Sequence, residues 1–414
     1  MSQQFEVRSP SYRYQDRSCG ARQTLARLRP HFHSLGISRL GELTGLDHLG
    51  IPVALAVRPN SHSLSVSLGK GPDVDSAMIS AAMEAAETAI AERLPDTVVW
   101  TSIDALNRSG QPVIDLSSIA RCHPHRFATS ETTAWKKAKN LGTDEITFVP
   151  WSLVGLDHRE APAGYHDAFY VASDGLASGN THDEAVFHAL CELIERDALA
   201  KMQFLTKENL RKSEFQPTGQ EDVHLPALLQ LIESAGLRLR MFHMQSDTEL
   251  PAFLALLEPK HYQHEASGQT VSKCGGCGCH PNAGRAIVKA ITEAAQARLA
   301  LVAGARDDIR AEHYEATKLH ELPDSQKKSY ARSGRTQPSA WSPAEPVSMQ
   351  QKVEDLTDRL NAVGIDQILV VELEAQDFGI HVVRVIADEL QVPLQGNRVQ
   401  ITQRGLRNMQ GVAA

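Results

Sequence analysis

Thr181-His-Asp-Glu184-Ala-Val-Phe187-His188-Ala-Leu190-Cys191-Glu192-Leu-Ile194-Glu195-Arg196-Asp197-Ala198 announces a helix with two different faces. Thr181 followed by Glu184 matches a capping box, and Phe187, Leu190, Cys191, Ile194 and Ala198 form one apolar stripe. The adjoining face holds His188, Glu192, Glu195 and Arg196. Two other segments repeat the arrangement. Ser80, Glu84 and Glu87 share one helical face, and so do Lys289, Glu293 and Gln296. Arg298 lies five residues beyond Glu293 and points elsewhere on a regular helix.

Like charges at this spacing repel by roughly a few tenths of a kcal/mol unless a cation or basic group sits between them. The segment around Ser80, Glu84 and Glu87 is almost all alanine and methionine, which predicts burial, and buried carboxylates need partners. Magnesium prefers such hard oxygens and keeps contacts to water and substrate phosphates. Taken singly, each helix also reads as a solvated charged face.

The chain has 414 residues, enough for one large domain or two ordinary ones. A net charge of −8 supplies no basic field, so nucleic acid is not an expected partner. No apolar run follows the N-terminal Met-Ser-Gln-Gln-Phe or approaches the roughly 20 residues of a membrane span. A cytoplasmic protein without a membrane partner is expected, with Cys19, Cys122, Cys191, Cys274, Cys277 and Cys279 present as thiols.

Residues 1–40 are polar and Arg-rich without clear periodicity, and are expected to wrap the domain or reach a neighbouring subunit. Strands are predicted at 51–58 and 63–68, the second ended by Gly69-Lys70-Gly71. A helix follows from an N-cap at Asp73 or Asp75 to about Arg93. The third glutamate helix should begin near Pro281-Asn282 and end before Gly304. Further helices are predicted at about 224–235 and 349–363, and strands at 237–244, 251–257, 367–373 and 381–387. Four prolines within 322–348 mark a long exposed loop. This order predicts an α+β fold with mixed or antiparallel sheets packed by helices.

Gly69-Lys70-Gly71 lacks the upstream glycine and the following Ser/Thr of a Walker A sequence, and no kinase signature occurs. The turn itself offers backbone donors and an ammonium group to a phosphate. Cys274-Gly-Gly-Cys277-Gly-Cys279-His280 is expected to be a glycine-rich turn leading into the third helix, with a zinc site or a reactive sulfur site as alternatives.

In combination, these segments resemble the YcaO-domain family over most of the chain. The resemblance rests on Ile51-Pro52-Val53, Gly69-Lys70-Gly71 and Ser80/Glu84/Glu87, then on Ala177-Ser-Gly179-Asn-Thr181 leading to Glu192-Leu-Ile-Glu195-Arg196-Asp197. Thr292-Glu293-Ala-Ala-Gln296-Ala-Arg298 and Gly304-Ala-Arg306-Asp307-Asp308 complete it. It implies a YcaO-type ATP-binding fold. Its parts would be an arm and first strand in 1–60, a core in 61–320, an exposed Pro-rich loop in 321–348 and a segment completing the same domain in 349–414.

The resemblance also implies ATP- and Mg2+-dependent phosphorylation of a peptide backbone amide, with no side chain acting as covalent nucleophile. Glu84, Glu87, Glu192, Glu195 and Glu293 would hold magnesium, and Lys70, Ser80, Arg196, Gln296 and Arg298 would contact ATP. Azoline-forming members commonly end in a Pro-rich tail, whereas no proline follows Pro393 here. The compact form looks most like members encoded with a TfuA protein, which implies thioamide formation, a TfuA-like partner and a homodimer. The clustered cysteines would then be available to relay sulfur. The alternatives are azoline formation, a housekeeping role in ribosomal-protein modification, and an ATP-binding scaffold without turnover.

Overall fold

The computed structural model describes residues 17–260, 273–310, 348–394 and 399–413. Its named strands form three sheets in which every pairing is antiparallel, as the α+β reading expects. The first sheet holds β1 (Arg39–Glu42), β2 (Val53–Val57) and β3 (Val66–Lys70). The largest runs β4 (Val99–Thr101), β5 (Thr133–Asn140), β12 (Ile368–Leu373), β13 (His381–Ala387) and β7 (Leu176–Gly179), with β6 (Ile146–Pro150) on β5. The third is ordered β11 (Cys274–Cys279), β10 (Ala252–Pro259), β9 (Leu237–His243) and β8 (Glu214–Phe215).

Ten α-helices lie among the described residues: α1 (Ala21–Leu28), α2 (Val74–Ala91), α3 (Ile103–Arg108), α4 (Trp151–Val154), α5 (His182–Met202), α6 (Lys207–Ser213), α7 (Leu225–Ser234), α8 (Ala283–Ala303), α9 (Met349–Ala362) and α10 (Gln403–Ala413). Three of them carry the glutamates, and each follows its own strand through a tight turn: β3 to α2, β7 to α5 and β11 to α8. Side chains of Asp73, Thr181 and Asn282 cap them, accepting from the amides of Ser76, Glu184 and Arg285. Counting from those caps, Glu84, Glu192 and Glu293 are each eleven residues on. Glu87, Glu195 and Gln296 are each fourteen on.

A glycine seats each strand against its helix. A Cβ on Gly69 would lie 2.1 Å from both Ala77 O and Ala81 N of α2, and one on Gly179 would lie 2.6 Å from Ala185 N of α5. On β11, Cβ atoms at Gly276 and Gly278 would fall 2.1 Å from Ala294 N and Ala286 O of α8. The expected turn at Cys274–Cys279 is therefore a strand, paired with β10 from Ala252↔Cys279 to Leu257↔Cys274. Side chains alternate across a strand, so Gly276 and Gly278 meet α8, while Cys277 and Cys279 join the apolar core around α5. Glycine's poor strand propensity hid this in the sequence.

Two other expectations change. Gly69 and Lys70 are ladder residues opposite Ala54 and Val53 rather than a turn. Glu184 does not complete a capping box: its carboxylate accepts from Asn180 N (3.0 Å) and from Ser18 N (2.5 Å). Within the arm, residues without visible periodicity form α1, which lies over the glutamate helices through Arg22–Asp75 (2.6 Å) and Thr24 Oγ1 to Asn180 Oδ1 (2.8 Å). The expected Pro-rich loop at 321–348 lies outside the described residues except for Ser348, which caps α9. No described helix is long and apolar enough to cross a membrane.

Candidate functional site

The three helices bring five carboxylates into a ring of electrostatic neighbours, each feeling the next: Glu84 with Glu87, Glu87 with Glu192, Glu192 with Glu195, Glu195 with Glu293, and Glu293 with Glu84. Protein surrounds all five, although only Glu195 is buried outright and Glu84, Glu87, Glu192 and Glu293 keep part of their surface open. Burial pushes the carboxyls of Glu84 and Glu192 up to about 7. Burial and the charges of Glu192 and Glu84 push Glu87 well above the usual carboxylate range, against the pull of the Ser178 hydroxyl bonded to it. Glu195 is raised by burial and by Glu293. Glu293 alone is lowered, because Lys70 and Arg196 outweigh its burial.

Cations stand among these acids. Lys70, projecting from the end of β3, pairs with Glu293, whose other oxygen accepts from Cys277 N at 3.2 Å. Arg196 lies 3.6 Å from Glu192 and 3.5 Å from Asp174. Burial lowers the Arg196 guanidinium, but Glu192, Glu195 and Glu293 more than reverse that. Seven of the ten sequence-derived site residues are thus brought together: Lys70, Glu84, Glu87, Glu192, Glu195, Arg196 and Glu293.

The other three take different positions. Ser80 lies one turn before Glu84 on α2 and is half-buried. Gln296 donates its amide to Leu68 O of β3, tying the third helix to the first sheet. Arg298 turns away from the ring, as a regular helix requires, and pairs with Asp47 (2.5 Å), itself nearly buried.

Sequence reasoning placed Lys289 on the face of Glu293 without giving it a role, and missed Asp174, Arg121 and Arg384. Lys289 donates to Cys279 O (3.1 Å), and its ammonium is held in the charged form by Glu195 and Glu293 against the pull of burial. Asp174, Arg121 and Arg384 reach the site from the largest sheet and its loops. Of these, only Arg384 left a local signal, as the lone charge in the apolar run His-Val-Val-Arg384-Val-Ile-Ala.

Among the described residues no three His, Cys, Asp or Glu side chains are close enough to enclose an ion by themselves, which leaves the zinc alternative at the cysteines without support. Magnesium does not ask for such a cage. It uses one or two carboxylates and completes its octahedron with water and phosphate oxygens, so an open ring of hard oxygens on rigid helices fits it. Burial pushes the Cys274 thiol to about 12 and those of Cys277 and Cys279 well above the usual thiol range. Such thiols stay protonated and are poor sulfur relays.

The raised carboxyls would give a cation held among them a pH-dependent affinity. Were magnesium held by Glu84 and Glu192, below pH 7 it would have to displace their protons, and its half-saturating concentration would rise about tenfold per pH unit for each proton displaced. For carboxyls raised by folding, the stability they lend the metal-free protein is complete below about pH 4.5 and lost as pH rises through 7. Thermal shift by Mg2+ and nucleotide should therefore grow from pH 6 to pH 8. Equal shifts at both pH values would remove these carboxylates from the metal site.

The family model described as YcaO cyclodehydratase, ATP- and Mg2+-binding, matches residues 68–391. The "Uncharacterized protein in tfuA 3′ region" of Rhizobium leguminosarum bv. trifolii is 41% identical over 399 residues, covering 96% of this chain and 94% of the relative. An uncharacterized protein of Methanothermobacter thermautotrophicus is 29% identical over 385 residues, covering 89% of this chain and 94% of that one.

Among solved structures, YcaO from Methanopyrus kandleri bound with AMPPCP and Mg2+ superposes with a TM-score of 0.69 at 20% identity, over 92% of this chain and 96% of that one. A heterocyclase in complex with substrate and cofactor gives 0.73 at 17% identity over 93% of this chain, which spans only 57% of that protein. At these identities both structures speak for the fold alone.

Proposed function

The chain belongs to the YcaO family, whose members bind ATP and Mg2+, and from that premise we propose that it uses ATP to convert a peptide backbone amide into a thioamide, with a TfuA-like protein as partner. The ring of five carboxylates on three helices, with Lys70 and Arg196 among them, carries the ATP-dependent part of this reading. The relative in the tfuA 3′ region favours the sulfur product and the partner.

Glu84, Glu87, Glu192, Glu195 and Glu293 would hold magnesium, and Lys70, Ser80 and Arg196 would contact ATP. Gln296 and Arg298 would have to leave Leu68 and Asp47 to do the same, so in this structure they act as supports for α8. When bound, magnesium and ATP supply charge neutralisation and a phosphoryl group for the amide oxygen. In the balanced reaction hydrosulfide from a sulfide donor adds to the carbonyl carbon, the oxygen takes the phosphoryl group from ATP with release of ADP, and phosphate departs as the sulfur gives up its proton and the C=S bond forms. The chain's own work is positioning and electrostatic balance, which needs no side chain as covalent nucleophile.

The test is mass spectrometry of a candidate precursor peptide incubated with the protein, ATP, Mg2+, sulfide and the TfuA-like partner. Exchange of one oxygen for one sulfur is the expected result. Loss of one water without sulfur gain would make the protein an azoline-forming cyclodehydratase instead.

A further inference from the structure

Arg384 is fully buried in the middle of the apolar strand β13. Its Nε donates to Val154 O (3.0 Å) and its Nη1 to Asp174 O (2.8 Å). Nη2 is buried without an acceptor among the described residues. A buried cation with an unused donor is costly to fold and needs a reason to persist.

The sheet register shows where this side chain faces. In the β13–β7 ladder Arg384 lies opposite Leu176, and Val382 lies opposite Ser178. Residues across an antiparallel ladder, and their neighbours two along, project to one face. Leu176 and Val382 belong to the core of Ala85 and Ala86 on α2, whereas Ala177 and Val383 belong to the core of α5. Arg384 and Ser178 therefore face α2, the helix of Glu84 and Glu87. Ser178 and the charge of Arg384 both favour the ionised Glu87 carboxylate, and that charge also acts on Glu192 and Asp174. No water reaches Arg384, so it cannot touch a ligand in this arrangement.

We propose that Arg384 is a positioning residue of the metal site: together with Ser178 it holds Glu87 so that the carboxylate's remaining oxygen faces the cation. The idea rests on the reading of Glu87 as a magnesium ligand. Carboxylates that bind metals are themselves hydrogen-bonded from behind, and loss of such a partner weakens metal binding about 10- to 100-fold. The unused Nη2 is the donor such a carboxylate would take once magnesium fixes its other oxygen.

The test measures Mg2+ binding to the full chain with a non-hydrolysable ATP analogue present, by calorimetry, beside thermal unfolding without metal. Arg384→Gln should raise the Mg2+ dissociation constant about tenfold or more, and Arg384→Lys should restore part of the loss. Ser178→Ala, a milder change, should weaken Mg2+ in the same direction. In a background of Glu87→Gln, Arg384→Lys should cost less than it does alone, because its effect passes through Glu87. If Arg384→Gln does not fold, Arg384→Lys and the double variant carry the test. Wild-type Mg2+ affinity in folded Arg384→Lys and Ser178→Ala, or full additivity with Glu87→Gln, would overturn the proposal. Wild-type Mg2+ affinity in Glu87→Gln alone would instead overturn the underlying metal-site reading.

Discussion

Glu195→Gln is expected to lower magnesium-dependent ATP turnover on the peptide by about 10³-fold while leaving the protein folded. Glu195 is 4% exposed and links the second helix of the ring to the third, between Glu192 and Glu293. Glutamine keeps its shape and removes only the charge. Burial and Glu293 already disfavour that charge, so the metal-free variant should melt no lower than the parent. Loss of activity with retained or increased Tm separates a metal ligand from a structural acid. Steady-state phosphate release and a thermal melt on the same preparation check both halves, and unchanged turnover would remove Glu195 from the site.

Gly276→Ala is expected to destabilise the protein by about 3 kcal/mol. The new Cβ would meet Ala294 N at 2.1 Å, Glu293 C at 2.5 Å and Ala290 O at 2.6 Å. All three are helix backbone atoms, which cannot rotate aside, so β11 and α8 must separate. Glu293 is part of that contact, and its bond from Cys277 N would lengthen with it. Gly275 faces the other way, where a Cβ would lie 3.2 Å from the mobile end of the Leu256 side chain. Gly275→Ala should therefore cost far less. Urea denaturation of the two variants checks the contrast, and equal stabilities would mean that β11 does not lie against α8 as described.

The sequence reading succeeded where the signal was local. Asp73, Thr181 and Asn282 announced the three helices, and the strand expected at 381–387 is β13, His381–Ala387. It failed at β11, because glycines chosen for close contact with a helix look like a turn when that helix is out of view. Spacing along a helix found the acids of the ring and Arg196, and the glycine-flanked lysine pattern found Lys70. The remaining cations come from distant parts of the chain. Arg384 reaches the site from β13, and the partner that explains Arg298, Asp47, is 251 residues away in sequence. A face that only three converging sheets create leaves no periodic trace.

The constant count from cap to carboxylate works as a ruler. Eleven residues of helix measure about 16 Å, and each of the three glutamate helices lays off that length from a capped origin seated on its own glycine. One residue inserted inside a ruler would shift its acidic side chains by about 1.5 Å and swing them by about 100°. The same residue inserted between the end of one ruler and the strand that begins the next would leave every mark in place. Sequence length in this protein is thus rigidly metered within three short spans and free to drift elsewhere, and the third span ends on Gln296, where an amide fastens the instrument to β3 instead of adding a sixth charge.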